Sequence, residues 1–323
     1  RFSGVAASDF NKAYSWYPTE RTKAQIVTAT SSNRWVGWPY TKLMNAQAVV
    51  DHSASWLMCS AASAERLGIP EDRWVYVHGG AYANQGDPAT PQGQTWFVSR
   101  WTSFSRIPAM EAALRGSLAS AGLEPREVEH FDFYACFPAV VEMAADCLGL
   151  AHDDPRGLTV SGGLPYYGQC GTLSALVAMV QTLRRPENRR HFGLVSGNGG
   201  LGQKHSAAVL STSEPSRRFR MAPWRETQGK VDAIGAPAFT SRPDGAAEIV
   251  TYMVKHGRGT GPVSCIVIGR LLATGEQFIA NTPGDPALLE AMKESEWIGT
   301  AGRVFRSGDA SGTCSFPTAG SRG

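Results

Sequence analysis

The pattern of apolar positions between residues 33 and 213 alternates between short apolar runs and stretches with helical spacing. Glycine and proline stand at the ends of most of these stretches, as expected where helices begin and end. The pattern predicts helices over about 53–67, 108–121, 138–148 and 172–183, and strands over about 74–77, 131–135, 192–196 and 207–210. The last two strands flank Gly197–Gly200 and predict a hairpin. Together these elements predict a layered α/β domain with helices packed on a mixed sheet.

The last third of the chain has a different pattern. Strand-like runs cover about 248–254, 264–271 and 276–280, and only Pro286–Lys293 has helical spacing. This predicts a small β-barrel-like domain that carries one short helix. Basic and proline residues after Glu214 indicate a linker, so the predicted domain limits are 1–32, 33–213 and 214–323. Residues 79–94 are rich in glycine and polar residues and predict a long surface loop.

Composition and charge exclude several classes of function. The chain has 42% hydrophobic and 18% charged residues, and its net charge of +3 comes from interspersed charges without a basic stripe, so no nucleic-acid partner is expected. Six cysteines include no CxxC pair, so we expect neither a metal site nor a disulfide scaffold. This favours a reducing, cytoplasmic location. No apolar run is long enough to span a membrane.

A glycine-rich loop, Ser161–Gly171, delivers Gln169 and Cys170 to the start of the helix predicted from Thr172. Free N–H groups at a helix start favour an anionic ligand or a thiolate, which makes Cys170 a candidate nucleophile. The alternative is an ordinary buried thiol in a loop.

Four motifs resemble a known family. They are the segment Asn33–Asn45, the sequence Phe-Tyr-Ala-Cys-Phe-Pro at Phe133–Pro138, the Gly162–Gly163 loop and Ser-Gly-Asn-Gly-Gly at Ser196–Gly200. In order and spacing they resemble the C-terminal half of acetyl-CoA acetyltransferases of the thiolase superfamily, over about residues 33–212. Residues 245–302 resemble the extra β-domain of some thiolase-like proteins, with landmarks at Tyr252, Gly269–Arg270 and Ala280–Thr282.

The resemblance implies coenzyme A thioester as substrate, no covalently bound cofactor, a role in lipid metabolism and a homodimer. It also shows where this chain departs from the active pattern. Tyr134 and Ala135 stand where sterol-carrier-type thiolases have histidine and aspartate, Gln169 replaces the histidine of the Gly-His-Pro loop, and Ser196 replaces the cysteine of the Cys-x-Gly loop. The family's acyl-accepting cysteine lies in an N-terminal half that has no counterpart here, so we expect a truncated or incomplete chain.

We predict site residues on this basis. Candidate catalytic residues are Gln169, Ser196, Tyr134 and Cys170, and candidate substrate-binding residues are Cys136, Phe137, Gly168, Asn198, Gly199 and His205. Core packing is the favoured interpretation of Cys136, and a pantetheine-side or surface position is favoured for His205 over a catalytic base.

Three hypotheses follow from the residues and the resemblance. The first is an acyl-CoA acyltransferase of the thiolase type. The second is a non-catalytic thiolase-like protein that binds a CoA thioester or lipid, because Ala135, Gln169 and Ser196 replace proton-transfer residues. The third is that the C-terminal domain recruits a partner protein or an acyl carrier.

Overall fold

The computed structural model describes residues 1–47, 49–86, 101–168, 173–306 and 312–315. These residues form two compact units. The first contains Arg1–Thr22, the described part of 44–86 and Ser105–Ile234, and the second contains Lys23–Leu43, 101–104 and the described residues from Gly235 onward. The domain limits expected from the sequence stay a prediction.

The described residues form helices and strands throughout both units. The helices are α1 (Phe2–Ala7), α2 (Lys23–Val27), α3 (Ala61–Arg66), α4 (Pro108–Ala121), α5 (Pro138–Leu148), α6 (Leu173–Leu183), α7 (Trp224–Asp232) and α8 (Pro286–Glu294). The strands are β1 (Trp35–Trp38), β2 (Tyr40–Thr41), β3 (Tyr76–Asn84), β4 (His130–Asp132), β5 (Phe192–Gly199), β6 (Lys204–Ser211), β7 (Gly245–Gly257), β8 (Gly261–Leu271), β9 (Gln277–Asn281), β10 (Ala301–Arg306) and β11 (Gly312–Ser315).

A mixed sheet organises the first unit. Its strand order is β3-β6-β5-β4, with β4 parallel to β5 and the other pairs antiparallel. Strands β5 and β6 form the predicted hairpin, although β5 continues to Gly199 where a turn was expected from Gly197. The layered α/β prediction is confirmed.

Helices cover both faces of this sheet. On one face α6 packs Ala175, Met179 and Leu183 against Val195 and Leu210. On the other face α4 passes close to Gly79, which pairs with Val209, the neighbour of Leu210. Since successive residues of a strand point to opposite faces, α4 and α6 lie on opposite sides of the sheet.

Two sequence expectations for the first unit are wrong. The helix expected over 53–67 is confined to α3, which Ser60 caps with its side chain; the preceding Trp56, Leu57 and Met58 are exposed and therefore lack the packing that stabilises a helix. The loop expected over 79–94 begins inside strand β3, and its part from residue 87 onward lies outside the described residues.

Five strands of the second unit close a ring. The pairings run β7-β8-β9-β11-β10 and back to β7, with β9 and β11 parallel and the rest antiparallel. Helix α8 connects β9 to β10. This is the five-stranded Greek-key barrel of OB-fold type, so the barrel-like prediction is confirmed. The hairpin of β1 and β2 extends the sheet beside β7.

Apolar residues of the barrel and α8 form one core. Its members are Ala247, Ile249, Val254, Cys265, Val267, Leu271, Phe278, Ala280, Leu288, Leu289, Met292, Trp297 and Val304. The Tyr252 hydroxyl lies 3.0 Å from the Met292 carbonyl oxygen and joins β7 to the end of α8.

Helix α7 was not expected, because only Thr227 and Val231 of its nine residues are buried. No described helix has the length and apolar character needed to cross a bilayer.

Candidate functional site

A backbone hydrogen bond joins two of the predicted site loops. The Tyr134 N–H, two residues after β4, donates to the Ser196 Oγ on β5 at 3.0 Å. Ser196 is 8% exposed. Because β5 and β6 pair Asn198 with His205 and Ser196 with Ala207, the side chains of Ser196, Asn198 and His205 share one face of the sheet. Gly199 follows at the end of the strand, opposite Lys204.

The segment after β4 provides half-buried groups with suppressed ionisation. Burial raises the pKa of the Tyr134 hydroxyl, and burial raises the pKa of the Cys136 thiol to about 11. Cys136 is therefore a neutral thiol at neutral pH, without the thiolate that a nucleophile requires. Phe137 is the residue before α5 and keeps 38% of its surface exposed.

His205 is buried and neutral. Its Nε2 donates to the Gly202 carbonyl oxygen at 2.8 Å, and burial lowers the pKa of the imidazole to about 4. It is 5% exposed. Since protonation is this unfavourable, His205 does not accept a proton at neutral pH. It lies inside the unit, paired with Asn198, and not on the surface; its expected position toward pantetheine stays a prediction.

A buried carboxylate organises the glycine-rich loop. The Asp132 Oδ2 accepts the N–H groups of Val160 and Ser161 at 3.0 and 2.8 Å and the Thr159 hydroxyl at 3.0 Å. Burial raises the pKa of the Asp132 carboxyl, and these hydrogen bonds oppose the shift. The Asp132 Oδ1 has no hydrogen-bond partner among the described residues. Asp132 could not be identified as a site residue from the sequence, because it lies within a predicted strand and outside any motif that indicates its contacts.

The loop anchored by Asp132 reaches the segment of Tyr134. A methyl group built on Gly163 would lie 2.8 Å from the Cβ of Ala135, so only glycine allows this approach. Three of the predicted loops therefore converge: the one after β4, the glycine-rich loop and the end of β5.

The loop then turns back along the start of the chain. The N–H groups of Trp16 and Tyr17 donate to the carbonyl oxygens of Tyr167 and Tyr166 at 2.9 and 2.8 Å. A methyl group built on Gly168 would lie 2.9 Å from the Trp16 Cβ. Gln169 and Cys170, two of the candidate catalytic residues, lie outside the described residues.

A serine and a histidine meet beside this loop. The His52 Nδ1 lies 3.0 Å from the Ser174 Oγ, and the His52 Nε2 lies 3.0 Å from the Tyr14 carbonyl oxygen. The His52 ring stands edge-on to Tyr167, with ring centres 5.4 Å apart. The sequence did not predict this pair, because 122 residues separate its members and no motif links them.

Comparison with known proteins shows similarity to a family model and to solved structures. Residues 226–309 match the family model described as the additional C-terminal domain of thiolase-like protein type 1. The crystal structure of a monomeric SCP2-thiolase-like protein type 1 from Mycobacterium smegmatis is 33% identical in sequence, with a TM-score of 0.82. The match covers 98% of this chain and 66% of that protein, so the chain spans just under two thirds of its length. No curated protein sequence matches the chain.

The expected homodimer is contradicted by this comparison. The similar protein from Mycobacterium smegmatis is described as monomeric. The expectation rested on sheet-to-sheet pairing in the wider family.

Proposed function

Because the chain belongs to the thiolase superfamily and carries the additional C-terminal domain of thiolase-like proteins, we propose that it binds an acyl-CoA thioester. The supporting observation is the hydrogen bond from the Tyr134 N–H to the Ser196 Oγ, which brings together two loops whose sequences resemble active-site loops of the family. In this proposal the Ser196 hydroxyl hydrogen and the Asn198 amide donate to the thioester, since both groups lie on one sheet face.

The described side chains of the candidate site favour binding over carbon–carbon condensation. Condensation needs a group that takes and returns a proton at neutral pH. The Cys136 thiol has a pKa of about 11 and the His205 imidazole has a pKa of about 4, so neither group does this. Ser196 and Asn198 donate hydrogen bonds but do not act as bases.

Acyl transfer to the protein itself is the second candidate function. It needs a nucleophile and a base in contact, and the 3.0 Å approach of His52 to Ser174 supplies such a pair outside the family positions.

As a further part of the proposal we place the protein in the cytoplasm. Four cysteines, Cys59, Cys136, Cys147 and Cys265, are free, which fits a reducing compartment.

Calorimetric titration of the 323-residue chain with acetyl-CoA tests the proposal. We expect saturable binding that Ser196→Ala weakens roughly fivefold, the effect of losing about 1 kcal/mol from one hydrogen bond. Ser216→Ala, a change at an exposed serine in the 214–220 segment, is the matched control and should bind like the unaltered protein. Absence of binding by the unaltered chain would refute the proposal, and equal affinity for both variants would move the site away from Ser196.

A further inference from the structure

The contacts of His52 fix the hydrogen position on its neutral ring. A backbone carbonyl oxygen only accepts hydrogen bonds, so the Nε2 that faces the Tyr14 carbonyl carries the ring hydrogen. The Nδ1 of the neutral ring then presents a lone pair to the Ser174 Oγ at 3.0 Å. This is the geometry of a hydroxyl nucleophile, a base and a third group that orients the base.

Packing holds the base in that orientation. The edge-on contact with Tyr167 fixes the plane of the His52 ring, and burial raises the pKa of the Tyr167 hydroxyl to about 12, which keeps this neighbour neutral. His52 itself is half-buried, whereas Ser174 is 1% exposed and lies beneath it. The imidazole therefore faces solvent on one side and the hydroxyl on the other.

The pair lies where the glycine-rich loop meets α6. Ser174 is the second residue of α6. Gly168 lies close to the two segments that surround His52, because a methyl group built on Gly168 would lie 2.9 Å from Trp16 and 3.3 Å from Val50. His52 therefore places an imidazole beside the described end of this loop.

We infer that Ser174 and His52 form a nucleophile and base pair that accepts the acyl group of a thioester. This inference rests on the proposed function for the delivery of the thioester. The Ser174 Oγ bonds to the carbonyl carbon, the carbon–sulfur bond breaks, and the proton passes from Oγ to His52 Nδ1 and then to the departing sulfur. The products are an acyl ester on Ser174 and a free CoA thiol. Water then attacks the ester carbonyl, and His52 takes its proton and returns it to the Ser174 Oγ as the Oγ–carbon bond breaks, which releases a carboxylic acid and restores the serine hydroxyl.

The test measures release of free thiol from acetyl-CoA by the 323-residue chain, together with peptide mass spectrometry of the quenched protein. We expect an acetyl group on the peptide that contains Ser174. Ser174→Ala should abolish the adduct, and His52→Ala should slow thiol release by on the order of 10²-fold or more. Exposed residues supply matched controls, Ser216→Ala and His152→Gln, which should release thiol at the unaltered rate.

Two further measurements separate a chemical role from a structural one. Added imidazole should restore thiol release to His52→Ala, because a free base can fill the vacated space, and it should do nothing for Ser174→Ala. Titration with a thioether analogue of acetyl-CoA, which has no bond to cleave, reports binding alone. If the analogue binds and no thiol is released, the pair is not catalytic and the proposed function stands. If the analogue does not bind, the proposed function fails. Thiol release at an unchanged rate by Ser174→Ala would also overturn the inference.

Discussion

Asp132 shows how one buried side chain determines the shape of a candidate site. Its Oδ2 accepts hydrogen bonds from Thr159, Val160 and Ser161, and these set the start of the glycine-rich loop that approaches Ala135. Without the carboxylate, two backbone N–H groups would lose their acceptor away from water, and each such loss costs about 1–3 kcal/mol. The loop near the proposed thioester site is therefore supported from inside the unit.

Replacing Asp132 tests this support. Asp132→Ala should lower the free energy of unfolding by roughly 2–5 kcal/mol, measured by urea denaturation. Asp132→Asn keeps an acceptor oxygen and should cost less. Asp9→Asn, at an exposed carboxylate, is the control and should leave stability nearly unchanged. A loss below about 0.5 kcal/mol for the alanine variant would show that the loop holds its shape without the carboxylate.

The same carboxyl predicts a pH dependence. Its pKa is raised in the folded protein above the ordinary value of 3.8, so the folded state holds the proton more tightly than the unfolded state. The corresponding stability is present below pH 3.8 and is lost as the pH rises through the folded-state pKa. Asparagine does not ionise, so Asp132→Asn should remove this loss of stability. Denaturation curves recorded across the acid range should then show a free energy of unfolding that depends less on pH in the variant. A profile identical to that of the unaltered protein would contradict the shift.

At the scale of elements, predictions succeeded where proline and glycine residues at the ends of an element agreed with the periodicity of its apolar positions. Helix α4 was predicted to the residue, because Pro108 fits its first turn and Gly122 adopts the left-handed conformation, with a φ of 75°, just after its end. Strand β3 was cut short because Gly79 and Gly80 look like loop residues. In the fold their missing side chains admit Ser117 and Ala121 of α4 on one side and Met221 on the other. Such close approach between distant segments leaves no periodic signal in the sequence.

A pair of glycine substitutions distinguishes the two roles of glycine. Gly79→Ala should destabilise the protein by about 1–3 kcal/mol, because the new methyl group would lie 2.6 Å from the Ala121 nitrogen. Gly229→Ala lies within α7 with no atom within 4 Å of the new methyl group, and it should stabilise by about 0.5–1 kcal/mol. Thermal unfolding of both variants measures the difference. A neutral Gly79→Ala would show that β3 and α4 are packed less closely.

At the scale of the whole molecule, the pattern of apolar positions predicted the layered α/β unit and the barrel, whereas the site was only partly predictable. Tyr134 and Ser196 were found from their motifs, and the structure joins them by a hydrogen bond. His52 and Asp132 were missed, because their partners become neighbours only after the chain folds. The sequence also gave no information about the burial of His205, and this burial lowers the pKa of its imidazole to about 4.

Thiol reactivity provides a test of packing across both units. Of the four described free cysteines, Cys59 is exposed, whereas burial raises the pKa of Cys136 to about 11 and those of Cys147 and Cys265 to about 12. We expect iodoacetamide to label Cys59 first in the native protein and the other three only after denaturant is added. Peptide mass spectrometry follows each site, and Cys59→Ser should remove the early label among these four. Early labelling of Cys265 would show that the barrel core opens readily.

The long reach of the His52 contacts has a consequence for biosynthesis. The imidazole joins Tyr14, 38 residues before it, to Ser174, 122 residues after it. The chain must therefore be synthesised through Ser174 before this pair can assemble, and closing so large a loop is slow compared with forming a local helix. A growing chain that ends before α6 contains the imidazole but has no hydroxyl for it to activate, so newly made fragments do not consume thioesters by this route.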